Sequence, residues 1–140
     1  HMLVDAMAAR LVLKPESVDV AVASNMFGDI LTDIGGAITG SLGLSPSGNI
    51  NPERKFPSMF EPVHGSAPDI MGQGIADPIA MIWTGAMMLD FLGHKDAAEL
   101  IVDAIRKVTG EGRFLGHDLG GTASTTEITD AVIAKIQRTN

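Results

Sequence analysis

Two short stretches hold side chains whose types and spacing could do chemistry. The run Asn25-Met26-Phe27-Gly28-Asp29-Ile30-Leu31-Thr32-Asp33 places two carboxylates four residues apart at the start of an apolar helical pattern. On a helix that spacing puts both acids on one stripe, a turn apart. They can then reach a single hard cation, which takes oxygen ligands at about 2.1 Å when it is magnesium. Gly36 and Gly40 continue the stripe and would let another backbone or a ligand come close. The same residues also fit a solvated acidic edge above a helix-packing groove. The second stretch, Glu61-Pro62-Val63-His64-Gly65-Ser66-Ala67-Pro68-Asp69-Ile70, is a small-residue loop that leaves amides open and ends in an acid. Open amides suit a dinucleotide, and a carboxylate accepts from free ribose hydroxyls while repelling the extra phosphate of NADP. An ordinary Ser-Ala-Pro turn is the alternative, with His64 a locally satisfied loop residue.

These residues need elements to hold them. Residues 2–13 are helical by composition, and Lys14-Pro15 ends the helix. The β-branched run at 18–23, Val-Asp-Val-Ala-Val-Ala, has the length of a buried strand. Ser24 or Asn25 then caps a second helix to about Ser41, with Phe27, Ile30, Leu31, Ile34 and Ile38 as its apolar face. Residues 43–57 read as loop, 58–63 as a short strand and 64–74 as loop. Pro78 opens a long apolar helix to Leu92, where Met81, Trp83, Met87, Met88 and Phe91 read as core, and Gly93 stops it. Residues 95–109 form an amphipathic helix, 111–121 a glycine-rich connection, and Ser124 or Thr125 caps a last helix to Arg138. Strands alternating with helices predict α/β layering, yet two strands are too few for a complete doubly wound sheet.

Composition removes several classes of function. At 140 residues, 45% hydrophobic and 19% charged, the chain is the size of one ordinary globular domain. A formal net charge of -7 offers no basic stripe for nucleic acid. No apolar stretch is long enough for a membrane span, and no signal-peptide pattern opens the chain. A cytoplasmic location is the expectation. With no cysteine there is neither a disulfide nor a thiolate site, and there is no tyrosine. The ten lysines and arginines are scattered, so no converging pair is evident to hold a dianionic substrate.

Four motifs in order carry a resemblance: Val4-Asp5-Ala6-Met7, Asn25 through Asp33, Gly40-Ser41-Leu42-Gly43, and Glu61 through Ile70. Together they resemble the β-decarboxylating dehydrogenases, the isocitrate and isopropylmalate dehydrogenase family. The Asn51-Pro52-Glu53-Arg54 insert, Phe56-Pro57-Ser58-Met59-Phe60 and the late Asp118-Leu119-Gly120-Gly121-Thr122-Ala123 look most like its tartrate and D-malate branch. The resemblance implies an isopropylmalate dehydrogenase-like layered α/β fold, with this chain its C-terminal portion. Residues 1–45 would be metal-site and dimer helices with one strand, and 58–140 the NAD-loop and helical part.

The resemblance also implies roles. Asp29 and Asp33 would bind Mg²⁺ or Mn²⁺, joined by Asp5 from the second subunit of a homodimer. His64, Gly65, Ser66, Ala67, Pro68, Asp69 and Ile70 would line the adenosine half of NAD, with Asp69 on the ribose. Asp77, in Ile75-Ala76-Asp77-Pro78, stands where relatives usually carry Asn, so an adenine contact through that side chain would change. The family's tyrosine acid, lysine base and substrate arginines would lie upstream, leaving no catalytic residue here beyond the metal ligands. The implied activity is NAD- and metal-dependent oxidative decarboxylation of a 2-hydroxy dicarboxylic acid, of tartrate or D-malate type. 3-Isopropylmalate dehydrogenase is the alternative substrate class, and an inactive dimerisation or structural module the alternative of another kind. By itself this chain is expected to be inactive.

Overall fold

The structure, a computed structural model, describes residues 1–138. Its elements are α1 (Val4–Leu13), α2 (Asn25–Ile38), β1 (Pro46–Asn49), β2 (Met59–Pro62), α3 (Ile79–Phe91), α4 (Lys95–Glu111) and α5 (Thr125–Gln137), with single 3₁₀ turns between several of them.

The core lies where α3, α4 and α5 meet. Ile79, Val108, Ile128 and Val132 are each at most 1% exposed and pack with Ala104, Ile105 and Ala123. Burying side chains of this size stabilises by about 1.5–3 kcal/mol each. Helix α3 is apolar nearly all round, so it needs cover on two sides. It packs against α4 on one side and the β1–β2 hairpin on the other. Gly93 (φ 93°) and Gly112 (φ 67°) stop α3 and α4 in the left-handed region that glycine enters without strain. Helix α5 begins with a reciprocal cap. The Ser124 hydroxyl accepts from the Glu127 amide, and the Glu127 carboxylate accepts from the Ser124 amide at 2.8 Å. The Thr125 amide and hydroxyl then reach back to the carbonyls of Gly74 and Ala76.

Strands β1 and β2 form an antiparallel two-stranded sheet that pairs Ser47 with Glu61 and Asn49 with Met59. Its first strand corrects the loop expected over 43–57. Pro-Ser-Gly-Asn has almost no β propensity, and pairing with β2 imposes the extended form. The buried strand expected at 18–23 is corrected in the opposite sense. No strand pairs with it among the described residues, and Val20 and Val22 are 86% and 98% exposed. A β-branched run becomes a strand only when a neighbour takes its amides and carbonyls.

The apolar face expected on α2 is also only partly covered. Leu31 is buried, whereas Phe27, Ile30 and Ile38 are 38%, 48% and 41% exposed. On α3, Met81 and Met88 are exposed rather than core, while Trp83, Met87 and Phe91 are half-buried. Gly36 is buried because the turn after α2 packs onto it. A Cβ there would lie 2.6 Å from Leu42 Cδ2 and 2.8 Å from Ser45 Oγ. Gly40 (φ 113°) lets the chain leave the helix. In this chain the glycines serve helix packing and exit.

Candidate functional site

Between α1, α2 and the β1–β2 hairpin lies an open cavity of about 1090 Å³. Helix α2 supplies Asn25, Gly28, Asp29, Thr32, Asp33 and Gly36 to its wall. The hairpin supplies Ser47, Asn49 and Glu61, the following loop supplies His64 and Gly65, and Trp83 of α3 closes one side. The two expected metal acids and the start of the expected nucleotide loop therefore share one space.

Both Asp29 and Asp33 are exposed. Asn25 Nδ2 donates to Asp29 Oδ2 at 3.2 Å, one turn back along the helix, which steadies that carboxylate without using up its oxygens. Two hydrated carboxylates a turn apart have the donor chemistry of a hard divalent ion but not its full ligand count. Among the described residues no three His, Cys, Asp or Glu side chains come together as a metal group. Asp5 does not line the cavity; it is exposed on α1, and its Oδ1 accepts from the Ala6 amide at 2.8 Å. The metal donors of one chain are thus of the right kind and incomplete.

The loop after β2 is open as well. A Cβ on Gly65 would meet nothing within 4 Å, and Ala67 adopts the left-handed conformation (φ 41°). A non-glycine residue held there is strained, and such strain clusters at ligand sites. Gly65, Ser66, Ala67, Pro68 and Asp69 are exposed, and Ile70 is half-buried at the end of the turn that follows. His64 Nδ1 lies 3.0 Å from the Gly65 carbonyl, which agrees with a histidine satisfied within its own loop. Small side chains, free amides and an acid at the far end fit an adenosine diphosphate group. Of this loop only His64 and Gly65 reach the cavity wall; Ser66 to Ile70 lead away from it.

Asp77 lies elsewhere, at the start of α3. Its Oδ1 accepts from the Ile79 amide at 2.8 Å, while Oδ2 is buried without a hydrogen-bond partner. Burial pushes this carboxyl up to about 6, reinforced by the neighbouring Asp118 and opposed by the Ile79 amide and by His64.

Several cavity residues were not singled out from sequence. Glu61, Ser47 and Asn49 face the cavity because the hairpin register places them there, and β1 itself carried no sequence signal. Trp83 reads as core by its apolar surroundings, yet it is half-buried and lines the cavity. Glu61 alone had a visible signal, as the acid that opens the loop motif.

Comparison with known proteins places these features in context. Residues 1–132 match the family model described as isocitrate/isopropylmalate dehydrogenase. A probable tartrate dehydrogenase/decarboxylase of Agrobacterium vitis is 56% identical over 139 residues, covering 99% of this chain and 38% of that protein. The D-malate dehydrogenase [decarboxylating] of Escherichia coli is 54% identical, over 96% of this chain and 38% of its own length. Among solved structures, isocitrate dehydrogenase from Methylococcus capsulatus superposes with a TM-score of 0.91 at 41% identity, over 97% of this chain and 40% of that one. A β-decarboxylating dehydrogenase from Thermococcus kodakarensis gives 0.83 at 42% identity, over 98% and 40%. The chain therefore spans well under half the length of the relatives it matches.

Proposed function

This chain belongs to the isocitrate/isopropylmalate dehydrogenase family, and from that premise we propose that it supplies the metal-binding and cofactor-binding part of a dehydrogenase site. The substrate is a 2-hydroxy dicarboxylic acid of the tartrate or D-malate type, oxidised and decarboxylated with NAD as acceptor. One observation carries the reading: Asp29 and Asp33 open into the same cavity as His64 and Gly65. A cation on the first pair and a nucleotide beginning at the second would meet across that space.

When bound, a divalent ion would supply Lewis acidity at the substrate's hydroxyl oxygen, and NAD would supply the acceptor for the hydride of the carbon that bears it. The residues of this chain bind and orient. Asp29 and Asp33 hold the cation, and Asn25 fixes the rotamer of Asp29. The amides from Gly65 to Ala67 cradle phosphate, Asp69 accepts from the ribose hydroxyls, and Trp83 keeps one side of the cavity dry. The relatives' names, tartrate dehydrogenase/decarboxylase and D-malate dehydrogenase [decarboxylating], support the substrate class.

A homodimer is part of the same proposal. Met26 is 62% exposed beside Phe27, Ile30 and Ile38, an apolar strip on the helix that carries the acids. A second copy packed on that strip would cover it and bring its own Asp5 toward Asp29 and Asp33.

Titration with Mn²⁺ and with NAD, followed by calorimetry, tests the assignment. Mn²⁺ binding that disappears in Asp29→Asn and Asp33→Asn while NAD binding persists is the expected result. Undiminished Mn²⁺ binding in both variants would overturn it. Failure of NAD to bind the unaltered protein would leave the inactive dimerisation module as the reading.

A further inference from the structure

Away from the cavity, three segments meet at a pair of acids. A hydrogen-bond chain runs from the Gly43 amide to Ser41 Oγ at 2.8 Å, and from the Ser41 hydroxyl to Asp118 Oδ2. On the far side Asp77 Oδ1 accepts from the Ile79 amide at the start of α3. Between these halves sit Asp118 Oδ1 and the buried, unpartnered Asp77 Oδ2. Both oxygens border one space, Asp77 from the interior and the exposed Asp118 from outside, since a Cβ on Gly116 would lie 2.5 Å from Asp118 Oδ1 and 3.1 Å from Asp77 Oδ2. Gly43 flanks the pair from the other side, where a Cβ would be 2.7 Å from Asp118 Oδ2 and 2.9 Å from Asp77 Cβ. Two glycines thus make the room in which the carboxyls approach.

A buried oxygen without a partner is costly, and two ionised carboxylates facing each other are costlier. One proton resolves both problems. We propose that Asp77 holds a proton while the clip is closed and presents it from Oδ2 to Asp118, completing a clip that ties the turns carrying Ser41 and Asp118 to the start of α3, and that the clip opens when the proton leaves. The raised affinity of Asp77 for its proton agrees with this geometry. Two titratable groups act on it: Asp118 disfavours the ionised form, and His64, when charged, favours it. The clip requires neither metal nor cofactor, so it stands apart from the function proposed above.

Amide hydrogen exchange, corrected for intrinsic rates, reads the clip at the Gly43 and Leu119 amides. The former donates to Ser41 Oγ and the latter to the Gly116 carbonyl. With Asp77 moving from 3.8 to about 6 when the clip closes, protection should fall by up to about tenfold between roughly pH 5 and pH 7.5. Asp77→Asn keeps a neutral donor in the same shape, so its protection should stay flat over that range. Carboxyl ¹³C resonances of the unaltered protein give a second measurement. Asp77 should titrate near 6 with the Asp118 signal moving alongside, and Asp118→Asn should lower the Asp77 midpoint. Exchange that is flat in the unaltered protein, an Asp77 midpoint near 4, or a midpoint indifferent to Asp118→Asn would each overturn the proposal.

Discussion

Gly121→Ala should cost this protein several degrees of thermal stability, although it adds one methyl group. Gly121 lies in the Asp118–Ala123 motif, directly against the backbone of Leu115. An added Cβ would fall 2.1 Å from the Leu115 carbonyl oxygen and 2.6 Å from its carbon. Main-chain atoms cannot rotate aside, so the two segments must separate. That same carbonyl accepts from the Ala123 amide at 3.0 Å, and the bond is lost as they part. Overpacking costs about 1–3 kcal/mol and a lost buried hydrogen bond about 0.5–1.5 kcal/mol. The stiffer unfolded chain returns about 0.4–1 kcal/mol, leaving a net cost of roughly 0.5–4 kcal/mol, centred on about 2 kcal/mol. For a chain of this length 1 kcal/mol moves the melting temperature by roughly 3–4 °C, so the expected fall centres on about 6–8 °C.

Gly85→Ala is the matched control. Nothing lies within 4 Å of a Cβ there, inside α3, so the same change should stabilise by about 0.5–1 kcal/mol. Circular-dichroism melts of the two variants should move in opposite directions. A Gly121→Ala melt indistinguishable from the unaltered protein, or a fall of equal size in Gly85→Ala, would refute the steric argument.

Other outcomes follow from the same structure. Asp33→Asn should weaken Mn²⁺ binding at least tenfold, about 1.4 kcal/mol, and leave NAD binding unchanged, as calorimetry would read directly. Ser124→Ala removes the reciprocal cap of α5 and should cost about 1 kcal/mol at neutral pH, seen as a lower denaturation midpoint. Hydrogen bonds from Ser124 hold the Glu127 carboxyl below its ordinary value of 4.5, so that part of the cap is present above 4.5 and is lost as pH falls through the lowered value. Because Asp69 ends the proposed nucleotide loop and no basic residue follows it there, kinetics of the whole dehydrogenase should favour NAD over NADP; equal efficiency would remove Asp69 from the proposed ribose site.

The helices were legible because their boundaries are written locally. Pro15, Pro78, Gly93 and Ser124 each act on their own backbone, so each marks an end that the fold confirms. The strands were not, since a strand exists only in company. Residues 18–23 have the composition of a strand and lack a partner, while Pro46–Asn49 has a partner and lacks the composition. The same division runs through the sites. Asp29 and Asp33 are related by helix spacing alone, and the sequence states that spacing. Asp77 and Asp118 are related by the folding of two distant turns around Gly43 and Gly116, which no local pattern states.

Helix α2 shows why a chemical signal can survive where a packing signal fails. Its stripes have separate tasks. Gly36 fastens it to the chain on the acidic stripe, with Leu42 and Ser45 fitting the space that a side chain at 36 would fill, and Leu31 fastens it from the apolar face. Asp29 and Asp33, on the same stripe as Gly36, stay exposed, so a cation there would meet carboxylates that have paid no desolvation cost on folding. The rest of the apolar face, with Met26, Phe27, Ile30 and Ile38, remains exposed. Reading hydrophobic periodicity assigns that strip to the core, because the pattern records burial without recording by whom. Carboxylates carry no such ambiguity. Acids at one-turn spacing face the same way whether or not the helix is covered, and the ligands of a shared cation need only that.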